Sequence, residues 1–140
     1  MILFLPFKKA TLLVPSGPSS DPDRKHLFVL LTGPTQDGSE KSSLMVSFSS
    51  CKPGMYRDPA CLVDAGEHPF IRKPSFVVYS KARIECVDGL IRGVKAGSLI
   101  PHEQIDSALF ARICEGLTTS RHTAKRILDF YNLALVQERH

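Results

Sequence analysis

The sequence predicts an α+β fold in one domain spanning 1–140, and three observations carry that reading. Short apolar runs separated by turn-forming residues recur through the first hundred positions. One of them, 75–86, alternates with period two. From Pro101 onward the apolar spacing becomes helical. Roughly five or six strands over 8–100, then two C-terminal helices over 101–138, make an α+β domain or a small antiparallel β-barrel with packed helices. With 140 residues, 43% hydrophobic and 23% charged, the chain has the size and composition to fill one core.

The elements follow in order. Residues 10–14 form a short apolar run closed by Pro15-Ser16-Gly17-Pro18, and 27–31 form a second, continuous enough for a buried strand. Residues 33–43 are rich in Gly, Ser and Asp and read as a loop without the Gly-Lys-Ser/Thr ending of a phosphate-binding loop. Leu44, Val46 and Phe48 alternate into a third strand that ends at Ser49-Ser50-Cys51, and a short strand is expected at 61–63. In 75–86, strict alternation puts Phe76, Val78, Ala82, Ile84 and Cys86 on one face. Val77, Tyr79, Lys81, Arg83 and Glu85 then fall on the other. Residues 89–99 read as a further strand interrupted by Gly93 and Gly97. Pro101 suits the first turn of a helix that stops at Gly116, and Thr118, Thr119 or Ser120 can cap a second helix over 120–136.

Composition excludes several classes. The apolar stretch 1–7 is broken by Pro6 and followed by Lys8-Lys9. It is too short to span a bilayer and lacks the order of a signal peptide, so a cytoplasmic chain with no membrane partner is expected. Cys51, Cys61, Cys86 and Cys114 are widely spaced with no C-x-x-C pair, so reduced thiols, no metal site and no cofactor are expected. The net charge of +4 is local. Residues 1–70 carry seven bases and seven acids, and 101–140 carry five of each. The excess lies in 71–100, where Arg72, Lys73, Lys81, Arg83, Arg92 and Lys95 face only Glu85 and Asp88. That is a patch for an anionic partner.

Three polar groups are candidates for chemistry: Arg24-Lys25-His26, Ser49-Ser50, and His68 with Tyr79, Lys81 and Arg83. Each also has a plain structural role available, as a solvated loop, a satisfied turn, or a histidine bonded to a neighbouring loop. Strand-borne cations beside an aromatic ring suit single-stranded nucleic acid, through phosphate contacts and base stacking. Metal-free RNA cleavage needs a base for the ribose 2′-hydroxyl, an acid for the leaving oxygen and a cation for the phosphate, and these side chains supply all three.

The order of parts resembles the MazF/PemK family of endoribonuclease toxins. The early strand at 10–14, the basic loop to Lys25, the buried strand at 26–31 and the strand at 44–48 leading into Ser49-Ser50 run as they do there. So do the strand at 76–84 and the helix beginning at Pro101-His102-Glu103. The resemblance covers about 10–117. It implies an SH3-like barrel and a metal-independent endoribonuclease acting on single-stranded RNA, working as a homodimer and held in check by a cognate antitoxin. The family's catalytic arginine falls on Arg24 and its hydroxyl residue on Ser49 or Ser50. With His68 as proton carrier these form the expected catalytic set, and Lys25, Tyr79, Lys81 and Arg83 the RNA-binding set. Lys25-His26 stands where the family has a proline after its arginine, the chain has no Trp, and the second terminal helix is additional. The competing readings are a nucleic-acid-binding module using the two C-terminal helices, with Arg121, Lys125 and Arg126 at the second, and a barrel whose basic face binds an acidic protein.

Overall fold

In the computed structural model, which describes residues 3–139, a curled antiparallel sheet is packed by three helices. Its strands are β1 (Thr11–Pro15), β2 (Lys25–Leu30), β3 (Thr35–Asp37), β4 (Glu40–Ser50), β5 (Leu62–Val63), β6 (Ser75–Cys86) and β7 (Ile100–His102). The helices are α1 (Val87–Lys95), α2 (Ser107–Thr119) and α3 (Lys125–Glu138). Neighbours in the sheet run β5-β6-β4-β2-β1-β7, and β3 pairs with β4. The α+β class therefore holds.

Four local expectations are corrected. The segment 33–43 is not wholly loop. Thr35–Asp37 pairs with Glu40–Ser42 about a turn at Gly38, whose φ of 66° is left-handed and favours glycine. The strand expected over 89–99 is helix α1. Val87, Leu90 and Val94 recur at helical spacing, and the helix closes through Gly97 at φ 79°. A side chain at Gly93 would collide with Leu99, so this glycine lets the chain fold back under the helix end instead of marking a broken strand. Pro101 lies in β7, which pairs with β1, and α2 starts later, capped by the Asp106 carboxylate accepting from Leu109 N–H at 2.7 Å. Gly116 does not end α2, which runs on to Thr119. Ser120 closes that helix, and α3 begins at Lys125 after Ala124.

The two faces of the sheet are covered unequally. One face carries Leu27, Val29, Leu44, Val46, Val77 and Tyr79, and packs on Leu109, Ile113 and Leu117 of α2 and Ile127 and Phe130 of α3. The other carries Leu12, Val14, Phe28, Leu30 and Met45, covered by Leu90 and Val94 of α1. Since α1 spans only nine residues, the same face continues beyond it into polar residues.

A register shift in the β4–β6 ladder decides which side chains those are. Met45 pairs with Arg83 and Ser47 with Val78, so two steps along β4 oppose five along β6. The unpaired residues reverse the alternation of β6 in mid-strand. Val77 and Tyr79 point into the helix-covered core, as does Ala82 after the bulge. Phe76, Val78, Lys81 and Arg83 share the opposite face. Tyr79 therefore does not stand beside Lys81 and Arg83. It is 1% exposed, its hydroxyl donates to Ile113 O at 2.7 Å, and burial pushes its phenol far above the usual range. Gly116 has no side chain because the Tyr79 ring and hydroxyl occupy that space.

Candidate nucleic-acid interface

Two adjoining cavities are both lined by His26 and Ser49: the smaller lies on the face that α1 partly covers, and the larger reaches Leu27, Phe48 and Ile71 at the edge of the α2/α3 core. The larger, about 330 Å³, lies between the start of β2, the end of β4 and the loop before β6. Arg24, Lys25, Lys52, Arg72 and Lys73 contribute its cations. The smaller, about 190 Å³, adds Lys81 and Arg83 above Phe28, Phe76 and Val78. Seven cations thus border the pair of cavities, and among the described residues no carboxylate lines either one. Among the described residues only Arg24 of these seven has an acidic partner, Asp21 at 3.2 Å on the open surface. Four of the seven come from the basic segment 71–100. Arg92 and Lys95 instead occupy the last turn of α1, where a cation suits the helix dipole.

His26 sits in the middle of this field. On β2 it shares a face with Phe28 and Leu30, one step beyond the residues that α1 covers. Its Nδ1 lies 2.7 Å from the Ser16 hydroxyl. With the hydroxyl hydrogen directed to Val14 O, 3.0 Å away, Ser16 accepts from His26 and the imidazole proton sits on Nδ1. The lone pair is then on Nε2, which has no protein partner among the described residues. Burial and then the positive charge of Lys81, Arg24, Arg83 and Lys52 hold the imidazole below its ordinary 6.5, keeping it neutral. A neutral imidazole with an uncommitted Nε2 can take a proton from a hydroxyl brought beside it.

The expected site residues divide into two groups. Arg24, Lys25, Ser49 and Ser50 line the larger cavity, and Lys81, Arg83 and again Ser49 line the smaller. His68 and Tyr79 line neither. His68 is 1% exposed and both ring nitrogens are in use: Phe70 N–H donates to Nδ1 at 3.0 Å, and Nε2 donates to Glu103 O at 2.6 Å. A ring committed at both ends cannot shuttle a proton to a ligand. It instead ties the Phe70–Lys73 wall of the larger cavity to the segment between β7 and α2. In the sequence His26 stands out only as part of a basic loop, and nothing local marks Ser16, Ser47, Lys52, Arg72 or Lys73 as lining a shared site. Alternation of His26 with Phe28 and Leu30 was the signal that could have turned it towards the second face.

The helix pair offers less. Lys125 is paired with Asp129 at 2.7 Å, and the apolar faces of α2 and α3 are spent on the core. Among the described residues no three His, Cys, Asp or Glu side chains gather as metal ligands, and no helix is long and apolar enough to cross a membrane. No family model, curated protein or solved structure matches the chain.

Proposed function

We propose that the chain binds single-stranded RNA across the two cavities and cleaves it without a metal ion. The observation that carries this is the placement of His26, whose Nε2 has no protein partner among the described residues, at the junction of two cavities lined by seven cations and, among the described residues, by no carboxylate. Cations without acidic neighbours favour a polyanion, and an extended chain is needed to reach both cavities. In the proposed step His26 Nε2 takes the proton of a ribose 2′-hydroxyl. The oxygen's electron pair attacks the adjacent phosphorus, and the bond from phosphorus to the 5′-oxygen breaks. The Lys52 ammonium gives that oxygen a proton, leaving a 2′,3′-cyclic phosphate on one fragment and a 5′-hydroxyl on the other. Arg24 and Arg72 hold the phosphate oxygens as negative charge grows on them, and the Ser49 and Ser50 hydroxyls orient them. His26 thereby replaces His68 as the proton carrier.

The same proposal includes an SH3-like description of the curled sheet, the MazF/PemK-type toxin role, the homodimer and the antitoxin partner, all on the strength of element order. It is supported by Arg24 and Ser49 bordering one cavity, since these are the positions the resemblance picks out for catalysis.

Incubation with labelled single-stranded RNA in EDTA tests the reaction. Fragments ending in cyclic phosphate are expected, with the rate falling about 10²- to 10⁴-fold in His26→Ala and also falling in Arg24→Ala. Absence of cleavage, or cleavage untouched by His26→Ala, removes the enzymatic reading. Salt-sensitive RNA binding without cleavage would identify the same cleft as a non-catalytic module.

A further inference from the structure

The smaller cavity differs in chemistry from the larger one beside it, and the difference carries a substrate assignment. Phe76 and Val78 give it an apolar side, while the Arg83 guanidinium lies 4.8 Å from the centre of the Phe28 ring. A guanidinium braced on an aromatic ring is a flat cation on which a planar heterocycle can stack. Ser47 contributes the polar edge. It is only 5% exposed and lines the cavity, yet its hydroxyl makes no protein hydrogen bond among the described residues and is not among the sealed, unpartnered oxygens. Ser49, at the junction with the larger cavity, is likewise without a protein partner. Hydroxyls can donate or accept, and these two open into the cavity with no protein partner, so a ligand edge bearing both kinds of group fits.

We propose that this cavity is a nucleobase subsite that holds one base of the bound strand while the neighbouring phosphate lies at His26 and Ser49. The inference rests on the RNA reading of the cleft and specifies which part of the ligand goes where. At about 190 Å³ the space is below the roughly 300 Å³ at which drug-sized sites begin, so it takes a single ring system and not a stacked pair. An apolar-floored chamber joined to a cation-lined one matches the alternation of base and phosphate along a polynucleotide. Inorganic polyphosphate or an acidic peptide would use the cations and leave the stacking surface and Ser47 empty.

Fluorescence anisotropy with three probes of equal length separates these ligands: an oligouridylate, an abasic oligoribonucleotide, and inorganic polyphosphate. His26→Ala protein serves if the wild type consumes the RNA. Oligouridylate is expected to bind about tenfold or more tighter than the abasic strand, the usual scale for one stacked base. Ser47→Val and Phe76→Leu should bring oligouridylate close to the abasic level and leave polyphosphate unchanged, and circular dichroism confirms that both variants are folded. Arg72→Ala should weaken all three probes. Equal binding of oligouridylate and abasic strand, or indifference of oligouridylate to Ser47→Val, overturns the subsite while the RNA reading stands. Failure of all three probes to bind the wild type overturns both.

Discussion

The two faces of one sheet show what covering it does. On the α2/α3 side, strands β2, β4 and β6 present Leu27, Val29, Leu44, Val46, Val77 and Tyr79 to a double layer of helix, and these positions are spent on packing, with only the strand ends around Lys25 and Ser50 reaching the larger cavity. On the other side the same strands carry Phe28, Leu30 and Met45 under α1, then His26, Ser47, Ser49, Lys81 and Arg83 where α1 ends. On the fully covered face the buried Tyr79 hydroxyl is bonded, as buried polar groups usually are. A half-covered face can hold cations and hydroxyls in fixed positions with water, or a ligand, as their partner.

Several substitutions break or sharpen that contrast. The largest effect belongs to the covered face. Tyr79→Ala should cost about 3–5 kcal/mol, the usual range for emptying a core aromatic site, read as a shift in the denaturant midpoint, with RNA affinity of the folded fraction little changed. Next is His68, which serves the cleft from within the core. His68→Leu leaves Phe70 N–H unpaired and Glu103 O with only the Thr11 hydroxyl, and should cost about 1–3 kcal/mol at pH 7.5.

The same residue predicts a pH dependence. Burial holds the His68 imidazole below its ordinary 6.5, so the unfolded chain takes up that proton first as pH falls. Its contribution is fully present above 6.5 and is lost as pH drops from there through the lower folded value. His26 acts in the same direction through burial and its cationic neighbours. Unfolding curves at pH 7.5 and 5.0 should show lower stability at 5.0, with a smaller difference in His68→Leu.

On the half-covered face the expected outcome is the reverse. Lys81→Ala should change stability by no more than about 0.5 kcal/mol while lowering the salt dependence of RNA binding by about 0.7 in log–log slope, the loss of one single-strand phosphate contact. Stability that falls instead would mean Lys81 belongs to the packing. Smallest of all is Lys125→Ala on α3. It removes an exposed pair with Asp129 and should shift stability by about 0.3–0.5 kcal/mol and RNA affinity not at all.

Much of the architecture was legible from residue order. Strands β1, β2, β4 and β5 lie where short apolar runs between turn residues put them, and α2 and α3 fall within the stretch of helical spacing, α2 starting at Ser107 rather than at Pro101. The strand expected at 89–99 failed because two glycines were read as strand interruptions. In α1 one of them makes room for Leu99, a neighbour that exists only after the chain turns back. Tyr79 failed for a different reason. A strict period of two assumes an unbroken ladder, and a bulge between paired strands leaves no mark in either strand alone. His68 carried no local sign of burial, since its partners are the adjacent turn and Glu103, distant in sequence.

The sequence by itself determined the α+β class, the order of most elements and the concentration of positive charge in 71–100, because hydrophobic period and charge are properties of neighbours along the chain. Only the tertiary structure decided which of those charges share a cleft. Arg72, Lys73, Lys81 and Arg83 reach His26 and Ser49 through strand pairing, the β6 bulge and the short reach of α1. Each of those is an agreement between distant segments, and the physical cost of satisfying it is set by packing across the sheet rather than along the chain.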